Sequence, residues 1–310
     1  MELLIQLLLL ALGFIMLVKG ADWFVDGSAG IADRFGVPQL VVGLTIVAMG
    51  TSAPEAAVSI TAALKGSADI TIGNVVGSNI LNILIILGIS SVIVPIAVAK
   101  STIRYEIPYM LVITALLLVL GWTGNVIGFG EGVVLWIAFI LYLGYLFMMA
   151  KKNKEEVSEE AVQLPLWKLI VAAVLGLILI VWGSDVTVDA ATALAKYMGL
   201  SERFIGLTIV ALGTSLPELF TSVSAAMKGK ADIAIGNIVG SNIFNILFVV
   251  GTTALITPVV FVSGFAIDTI VAIAAGVLLL VCVVRGQKLT RTGGILMLLG
   301  YAAYFIYLLR

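Results

Sequence analysis

The chain contains no histidine and a single cysteine among its 310 residues, and only 11% of its residues are charged. A soluble domain of this size carries about 25% charged residues to keep its surface in water, so the composition excludes an ordinary soluble fold. The lone Cys282 cannot form an intramolecular disulfide, and it lies in an apolar run. The lack of histidine also argues against a zinc or copper carrier, since those metals prefer imidazole and thiolate ligands.

Other absences narrow the function further. No basic tract or basic-aromatic pattern is present, so nothing indicates nucleic acid as a partner. An intramembrane hydrolase needs a base for its nucleophile. The chain offers no histidine, no lysine in the middle of a predicted span and no paired intramembrane Asp. We therefore predict a protein that is not an enzyme, with no cofactor and no evident obligate protein partner.

Apolar sequence is abundant, at 61% of residues with a mean hydropathy of +1.20. Crossing a bilayer takes about 20 mainly apolar residues. We predict an all-α polytopic membrane protein with ten transmembrane helices, at about 2–30, 38–64, 69–95, 105–122, 130–150, 165–194, 202–227, 232–257, 264–285 and 292–309. The polar stretch 151–164 is predicted to be a short cytoplasmic linker between two five-helix halves, 1–150 and 165–310.

Lys and Arg are distributed unevenly between the predicted loops. The loops after the first, third, fifth, seventh and ninth spans hold twelve of them, whereas the opposite side holds four. Cytoplasmic loops carry the excess of these residues. We therefore expect a multi-pass protein of the cell membrane, in contact with the lipid bilayer, with both termini on the extracellular side.

The chain aligns with itself when it is shifted by 163 residues. GLTIVAMGTSAPEAAVSITAALKGSADITIGNVVGSNILN begins at Gly43 and GLTIVALGTSLPELFTSVSAAMKGKADIAIGNIVGSNIFN begins at Gly206, with 28 identities in 40 positions. The shift carries the second predicted span onto the seventh, which is an odd number of crossings. The halves are therefore predicted to be inverted, as in many secondary transporters whose substrate site lies near the midplane.

The same register extends back to GADWFVDG and GSDVTVDA. It matches Asp22 to Asp185 and Asp26 to Asp189. These aspartates come near the ends of the first and sixth predicted spans. Two interpretations stay open for them, a solvated or capping role and a place in an access pathway.

Glu55 and Glu218 are the repeated residues that most need an explanation. Each lies about halfway along a predicted span, where an ionised carboxylate is costly unless it faces a partner or water. The nearest cations in sequence, Lys65 and Lys228, are ten residues further on, or about 15 Å along a helix. If the repeats pack at the midplane, the two carboxylates meet without a protein cation. They then either take up protons or are neutralised by a bound cation.

A proline precedes each of these glutamates. Pro54 and Pro217 lack an N–H, so the carbonyls of Gly50 and Gly213 are predicted to lose their helical partners and the second and seventh spans to break there. Freed carbonyls in a membrane must be buried in protein or line a cavity. Together with the repeated hydroxyls and amides they form an all-oxygen set. Calcium, which takes about 6–8 oxygen ligands, suits such a set.

At these motifs the chain resembles the calcium:cation antiporter superfamily and, within it, the sodium/calcium exchanger branch. The resemblance covers the whole chain and rests on the paired GTS-x-PE and GN-x-x-GSN-x-x-N elements. It implies a secondary antiporter that exchanges sodium for calcium by alternating access, the first and sixth spans sliding across a core of the other eight. The large regulatory domain that animal exchangers carry between the fifth and sixth spans has no counterpart in the short linker.

The resemblance also implies the residues of two overlapping ion sites. Calcium is expected at Glu55, Glu218, Thr51 and Thr214. Sodium is expected at Ala48 (carbonyl), Ser52, Glu55, Ser78, Ala211 (carbonyl), Thr214, Ser215, Glu218 and Ser241. The centre is expected to be lined by Asn82 and Asn245, and the chain departs from some prokaryotic and all potassium-dependent relatives, which carry Asp at the second of these.

A calcium/proton antiporter of the same superfamily is the alternative, since paired glutamates can release protons instead of sodium. The repeated Thr-Ser and Ser-Asn oxygens suit dehydrated sodium better than protons and so favour sodium. With neutral amides at Asn82 and Asn245, the two glutamates give the site a charge of −2. One calcium ion or two sodium ions balance that charge, so transport is not expected to require potassium.

Overall fold

The structure is a computed structural model that describes residues 2–65, 69–152, 165–199 and 211–308, and this part of the chain is mostly helical. The first half contains α1 (Glu2–Phe35), α2 (Gln39–Thr51), α3 (Ala53–Leu64), α4 (Thr71–Ile93), β1 (Ile96–Ala97), α5 (Thr102–Gly124), β2 (Val126–Ile127) and α6 (Phe129–Lys152). The second half contains α7 (Leu166–Tyr197), α8 (Ala211–Gly213), α9 (Leu216–Met227), α10 (Ala231–Ile256), β3 (Val259–Val260), α11 (Ser263–Val284), β4 (Lys288–Leu289) and α12 (Arg291–Leu308).

In the described residues, eight helices are long and apolar enough to cross a membrane, and α2 with α3 passes the same test as one bent pair. These correspond to nine of the ten predicted spans. The seventh predicted span, 202–227, lies partly outside the described residues, as does most of the predicted linker. The first helix runs to Phe35 instead of residue 30, because Ala29 and Ala32 continue its buried face.

Apolar and polar residues are distributed as expected for a protein surrounded by lipid. Large apolar side chains on the outer helices are exposed, among them Leu8, Leu141 and Trp167. Many polar residues of the two repeats are buried, among them Glu55, Asn82, Glu218 and Asn245. The most deeply buried helix is α10, in which every residue from 233 to 247 is buried, so the core of the molecule carries the repeated motifs.

Two antiparallel strand pairs connect the halves and locate the ends of the molecule. β1 pairs with β4, and β2 pairs with β3. β1 and β2 lie at opposite ends of α5, whose 23 residues extend about 34 Å. The 163-residue shift matches β1 to β3, yet β3 pairs with β2, which lies at the other end of α5 from β1. The matched strands therefore lie at opposite ends of the fold.

Glycines allow α1 and α7 to pack closely along their lengths. A Cβ added to Gly176 would lie 2.4 Å from the backbone nitrogen of Phe24, and one added to Gly20 would lie 2.8 Å from the Gly176 carbonyl oxygen. Small residues at such positions let membrane helices approach until their backbones touch. α1 and α7 thus form a tightly packed pair along the side of the core.

Replacing Gly176 with Val is expected to lower the melting temperature of the detergent-solubilised protein. The atoms that a Cβ would meet belong to the backbone of Phe24 and Gly20, so the helices must shift, and overpacking of this kind costs about 1–3 kcal/mol. Gly144→Val is the matched control, because a Cβ there meets nothing within 4 Å. Equal melting temperatures for the two variants would contradict the close packing of α1 on α7.

Candidate ion-binding site

The breaks that the two prolines predict are present, and each is followed by a buried glutamate. α2 and α3 are bent by 49° at Ser52. Thr214 and Ser215 separate α8 from α9, and Ser215 is the N-cap residue of α9. A proline in the first turn of a helix is tolerated because the N–H it lacks has no helical partner there. Glu55 and Glu218 lie in the first turns of α3 and α9, and each is 1% exposed.

The contacts of the two glutamates cross from one half to the other. Ser52 Oγ donates a 2.8 Å hydrogen bond to Glu218 Oε1. The hydroxyls of Thr214 and Ser78 and the carboxylate of Glu218 lie close to the Glu55 carboxyl, although neither Glu55 oxygen has a hydrogen-bond partner among the described residues. The two carboxylates therefore belong to one cluster, in which serine and threonine hydroxyls from both repeats take part.

Six buried oxygen atoms of the two glutamates and of other polar residues in the repeated motifs have no hydrogen-bond partner among the described residues. They are Glu55 Oε1 and Oε2, Glu218 Oε2, Ser215 Oγ, Asn82 Oδ1 and Asn245 Oδ1. A buried acceptor left without a partner costs about 1–3 kcal/mol, and more when it is charged. A cation bound among these oxygens would remove that cost. The arrangement is therefore suited to a hard cation with oxygen ligands.

The charge of the cluster comes from the two glutamates. In the part of the chain that the structure describes, no three His, Cys, Asp or Glu residues come together as a possible metal site. The ion pairs found there involve Lys228 and the aspartates of α1, so neither glutamate is paired with a lysine or arginine. The two negative charges of the ionised glutamates can therefore be balanced by one divalent or two monovalent cations.

Backbone oxygens also reach the cluster. The Ala48 carbonyl accepts a hydrogen bond from Ser241 Oγ at 3.3 Å and one from Thr51 Oγ1 at 3.4 Å. Ser241 is itself buried on α10. The predicted counterpart, Ala211, is the first residue of α8, and the chain before it lies outside the described residues.

The carbonyls of Gly50 and Gly213 lack the helical partner that each proline removes, but the Gly213 carbonyl is not left free as predicted. The Gly50 oxygen lies beside the Ser52 backbone N–H at the C-terminal cap of α2, and that N–H donates a 3.1 Å hydrogen bond to the Ala48 carbonyl. The Gly213 oxygen accepts a 2.6 Å hydrogen bond from Ser184 Oγ of α7. A hydroxyl from a neighbouring helix thus satisfies the Gly213 carbonyl, as a buried backbone group in a membrane requires. The shift matches Ser184 to Ala21, so α1 has no equivalent hydroxyl.

Four asparagines connect α4 and α10 across the centre. Asn79 Nδ2 donates to the Asn242 carbonyl at 3.1 Å, and Asn242 Nδ2 donates to the Asn79 carbonyl at 3.2 Å. Asn82 Nδ2 donates to Asn242 Oδ1 at 2.9 Å, and Asn245 Nδ2 donates to Asn79 Oδ1 at 3.2 Å. These hydrogen bonds leave the Oδ1 atoms of Asn82 and Asn245 available to an ion.

Asn82 and Asn245 each begin a π-helical segment. The segments are Asn82–Leu87 in α4 and Asn245–Val250 in α10. Such segments are rare and occur frequently at functional sites. Both lie at the same positions of the two repeats, where the helix widens beside the cluster.

Asn74 and Asn237 are positioning residues that the sequence-based ligand set omits. Asn74 Nδ2 donates to the Glu55 carbonyl at 3.1 Å, and Asn237 Nδ2 donates to the Glu218 carbonyl at 3.4 Å. Asn237 Oδ1 also accepts a 3.0 Å hydrogen bond from Thr51 Oγ1. The sequence signal for them was present, since each is the second residue of the repeated GN-x-x-GSN motif. Their partners, backbone oxygens of the other motif, cannot be identified without the fold.

Comparison with known proteins identifies the family. The sequence model described as sodium/calcium exchanger protein matches residues 5–148 and 168–310, one region in each half. The chain belongs to the sodium/calcium exchanger family. The predicted family is confirmed, and so is the prediction that the protein is a transporter and not an enzyme.

Full-length relatives support the assignment. The exchanger is 39% identical over 312 residues to the putative antiporter CaxA of Alkalimonas amylolytica, covering 97% of this chain and 98% of that protein. It is 32% identical over 345 residues to the sodium/calcium exchanger MaX1 of Methanosarcina acetivorans, covering 98% of each. The structure of the sodium-calcium exchanger NCX_Mj soaked with Na⁺ and Sr²⁺ superposes with a TM-score of 0.85 at 33% identity, covering 98% of both chains.

The exchanger is therefore an all-helical, multi-pass membrane protein and a cation antiporter of the sodium/calcium exchanger type. Its fold is that of NCX_Mj, which has been soaked with Na⁺ and with Ca²⁺ or Sr²⁺. Those ions are hard cations that take oxygen ligands. The buried oxygen cluster around Glu55 and Glu218 has the same chemistry.

Proposed function

We propose that this exchanger moves calcium across the membrane in exchange for sodium, by alternating access to one site at the centre of the fold. The observation that carries the proposal is the set of six buried oxygen atoms without donors around Glu55 and Glu218. Two carboxylates balance one calcium ion or two sodium ions. Serine, threonine and asparagine oxygens complete a ligand set that a proton would not need.

In this proposal the two ions share both glutamates. Calcium binds between Glu55, Glu218, Thr51 and Thr214. Sodium binds through Ala48 (carbonyl), Ser52, Glu55, Ser78, Ala211 (carbonyl), Thr214, Ser215, Glu218 and Ser241, with Asn82 and Asn245 lining the centre. Because the carboxylates are shared, sodium and calcium compete, and occupancy by one drives release of the other.

The proposal also takes the chain as ten spans in two inverted halves, 1–150 and 165–310. The positions of the strands support it, since β1 and its match β3 lie at opposite ends of the fold. Two inverted halves can exchange conformations, and each exchange opens the same central site to the other side. The excess of Lys and Arg in alternate loops supports a cytoplasmic location for the end that carries Lys228, with both termini extracellular.

Calcium uptake by proteoliposomes tests the coupling ion. Vesicles loaded with sodium and diluted into sodium-free buffer are expected to accumulate calcium, and a sodium ionophore is expected to abolish the uptake. A pH gradient of equal size, without sodium, is expected to drive none. Protein-free vesicles give the background.

The opposite pattern would reassign the protein. Uptake that follows the pH gradient and ignores sodium would make the exchanger a calcium/proton antiporter. Measuring uptake over a range of external sodium also tests the shared site. The apparent calcium affinity is expected to fall as sodium rises, because both ions need Glu55 and Glu218.

A further inference from the structure

Lys228, at the end of α9, forms ion pairs and a hydrogen bond with α1. Its Nζ lies 2.7 Å from Asp26 Oδ2 and 3.3 Å from Asp22 Oδ1, and it donates a 3.0 Å hydrogen bond to the Asp22 carbonyl. Ser224 Oγ, one turn earlier, donates to Asp22 Oδ1 at 2.7 Å. We name these four residues the α1 latch. In the structure this latch is closed.

The other half contains the same four kinds of group in the same register. Asp185, Asp189, Thr61 and Lys65 stand where the 163-residue shift places the members of the α1 latch. The two carboxylates lie on α7, the hydroxyl on α3, and the ammonium on the residue that caps α3. We name them the α7 latch. For each contact of the α1 latch, α3 and α7 thus carry two chemically equivalent groups that could form the same contact.

The α7 latch is open in the structure. Within the described ranges, no ion pair joins Lys65 to Asp185 or Asp189, and Lys65 is exposed. A cavity of about 340 Å³ lies between α3 and α7 instead, with both aspartates, Ala57 and Thr214 in its lining. Since the lining also includes Pro54, and Pro54 and Thr214 are the chain neighbours of Glu55 and Ser215, this cavity leads toward the buried oxygen cluster.

The two latches lie at opposite ends of the fold. Lys65 precedes α4, and β1 follows α4, so Lys65 and β1 are at opposite ends of that helix. Lys228 and β3 are related to α10 in the same way. Because β1 and β3 are themselves at opposite ends, so are Lys65 and Lys228. One end of the molecule is therefore latched while the other is open.

We propose that the two latches close alternately, so that each conformation of the exchanger is held by one Asp–Lys cluster. In the opposite conformation Lys65 binds the two aspartates of α7, and Lys228 releases those of α1. This assigns the repeated aspartates to the gating of the access pathways. The inference rests on the proposed function, since only a protein with two access states needs a second latch. Partly exposed ion pairs are weak, so each latch biases the equilibrium without locking it.

Two cysteine reporters measure which end is open. In a Cys282→Ala background, Ala57→Cys reports on the cavity beside α7, and Phe220→Cys occupies the matched position on α9. The rate of labelling by a membrane-impermeant thiol reagent is measured from each face of oriented vesicles. With both lysines intact, the residue at position 57 is expected to react from the face bearing Lys65, and faster than the residue at position 220 from the other face.

Removing the charge of one lysine should raise one of the two labelling rates and lower the other. Lys228→Gln is expected to raise the rate at position 220 and lower that at 57, each by about two- to fivefold, the effect of a partly exposed ion pair. Lys65→Gln is expected to do the reverse. Lys230→Gln is the matched control, because this neighbouring lysine takes part in neither latch, and both rates are expected to stay unchanged.

A charge swap separates pairing from a general effect of charge. Lys65→Glu combined with Asp189→Lys is expected to bring both rates back toward the values measured with Lys65 and Asp189 in place, whereas Lys65→Glu alone is not. Unchanged rates in Lys65→Gln, or a swap no better than the single variant, would overturn the alternating latches. Size-exclusion profiles confirm that each variant is folded.

Measurements on the same vesicles distinguish the alternating latches from the proposed sodium/calcium exchange. Sodium-driven calcium uptake with no response of the labelling rates to Lys65→Gln would overturn the latches and leave the proposed function standing. Opposite shifts in labelling without any calcium uptake under a sodium gradient would support the latches and overturn the proposed coupling.

Discussion

Glu55→Gln and Glu218→Gln are each expected to abolish sodium-driven calcium uptake while leaving a folded, membrane-inserted protein. Either change removes one of the two charges that balance a calcium ion in the buried cluster. The effect is expected to exceed about 100-fold, because even the outer partners of metal ligands are worth about 10–100-fold in affinity. The two variants are expected to be similarly inactive, since both carboxylates face the same cluster.

The protein fold is not expected to depend on these charges. Each carboxylate is buried beside the other, so its replacement by a neutral amide relieves repulsion. The melting temperature without calcium is therefore expected to be unchanged or higher, and stabilisation by added calcium is expected to be lost. This ligand-induced stabilisation depends only on binding to the folded state, so it reports on the site independently of transport.

Glu131→Gln is the matched control for the two variants. Glu131 lies in the first turn of α6, away from the cluster, where its Oε2 accepts a 3.0 Å hydrogen bond from the Gly128 backbone. An amide oxygen can accept the same hydrogen bond, so uptake should be close to that of the unaltered protein. Near-normal exchange by either Glu55→Gln or Glu218→Gln would refute the proposed site.

Hydropathy and the internal repeat predicted the helical part of the fold well, because both signals are dictated by lipid. An apolar run long enough to cross the bilayer has few alternatives to a helix, and this fixes α4, α5 and α11 within a few residues. Pro54 and Pro217 predicted where helices break, because a missing N–H acts locally. The family was likewise identified from motifs that each occur twice.

Contacts between helices could not be predicted in the same way. The Ser184 hydroxyl reaches the Gly213 carbonyl because α7 packs beside α8, and nothing in the local sequence marks that partner. The second role of Asn237, as acceptor for Thr51, depends on how the halves cross. The state of each latch was also beyond the sequence, since the matched residues are chemically equivalent in both halves and only their different packing separates them.

Asn245→Asp is expected to make calcium transport depend on a third positive charge. Asn245 is fully buried, and its Nδ2 donates to Asn79 Oδ1 at 3.2 Å. A carboxylate there loses the donor, faces another acceptor and adds a third negative charge to the cluster. A buried charge must be paired or neutralised. The unaltered exchanger, with two carboxylates, is expected to transport calcium equally with and without potassium.

In the variant, sodium-driven uptake at pH 8 without potassium is expected to fall about tenfold or more, since one charged buried group without a partner costs over 1.4 kcal/mol. Potassium, or a lower pH that protonates the new carboxyl, is expected to restore part of it. Asn245→Leu is the control, because it removes the same donor without adding charge and should respond to neither. The added charge is the only difference that potassium can balance. Full activity of Asn245→Asp at pH 8 without potassium would therefore contradict the two-carboxylate site. A strict potassium requirement of the unaltered protein would contradict it as well.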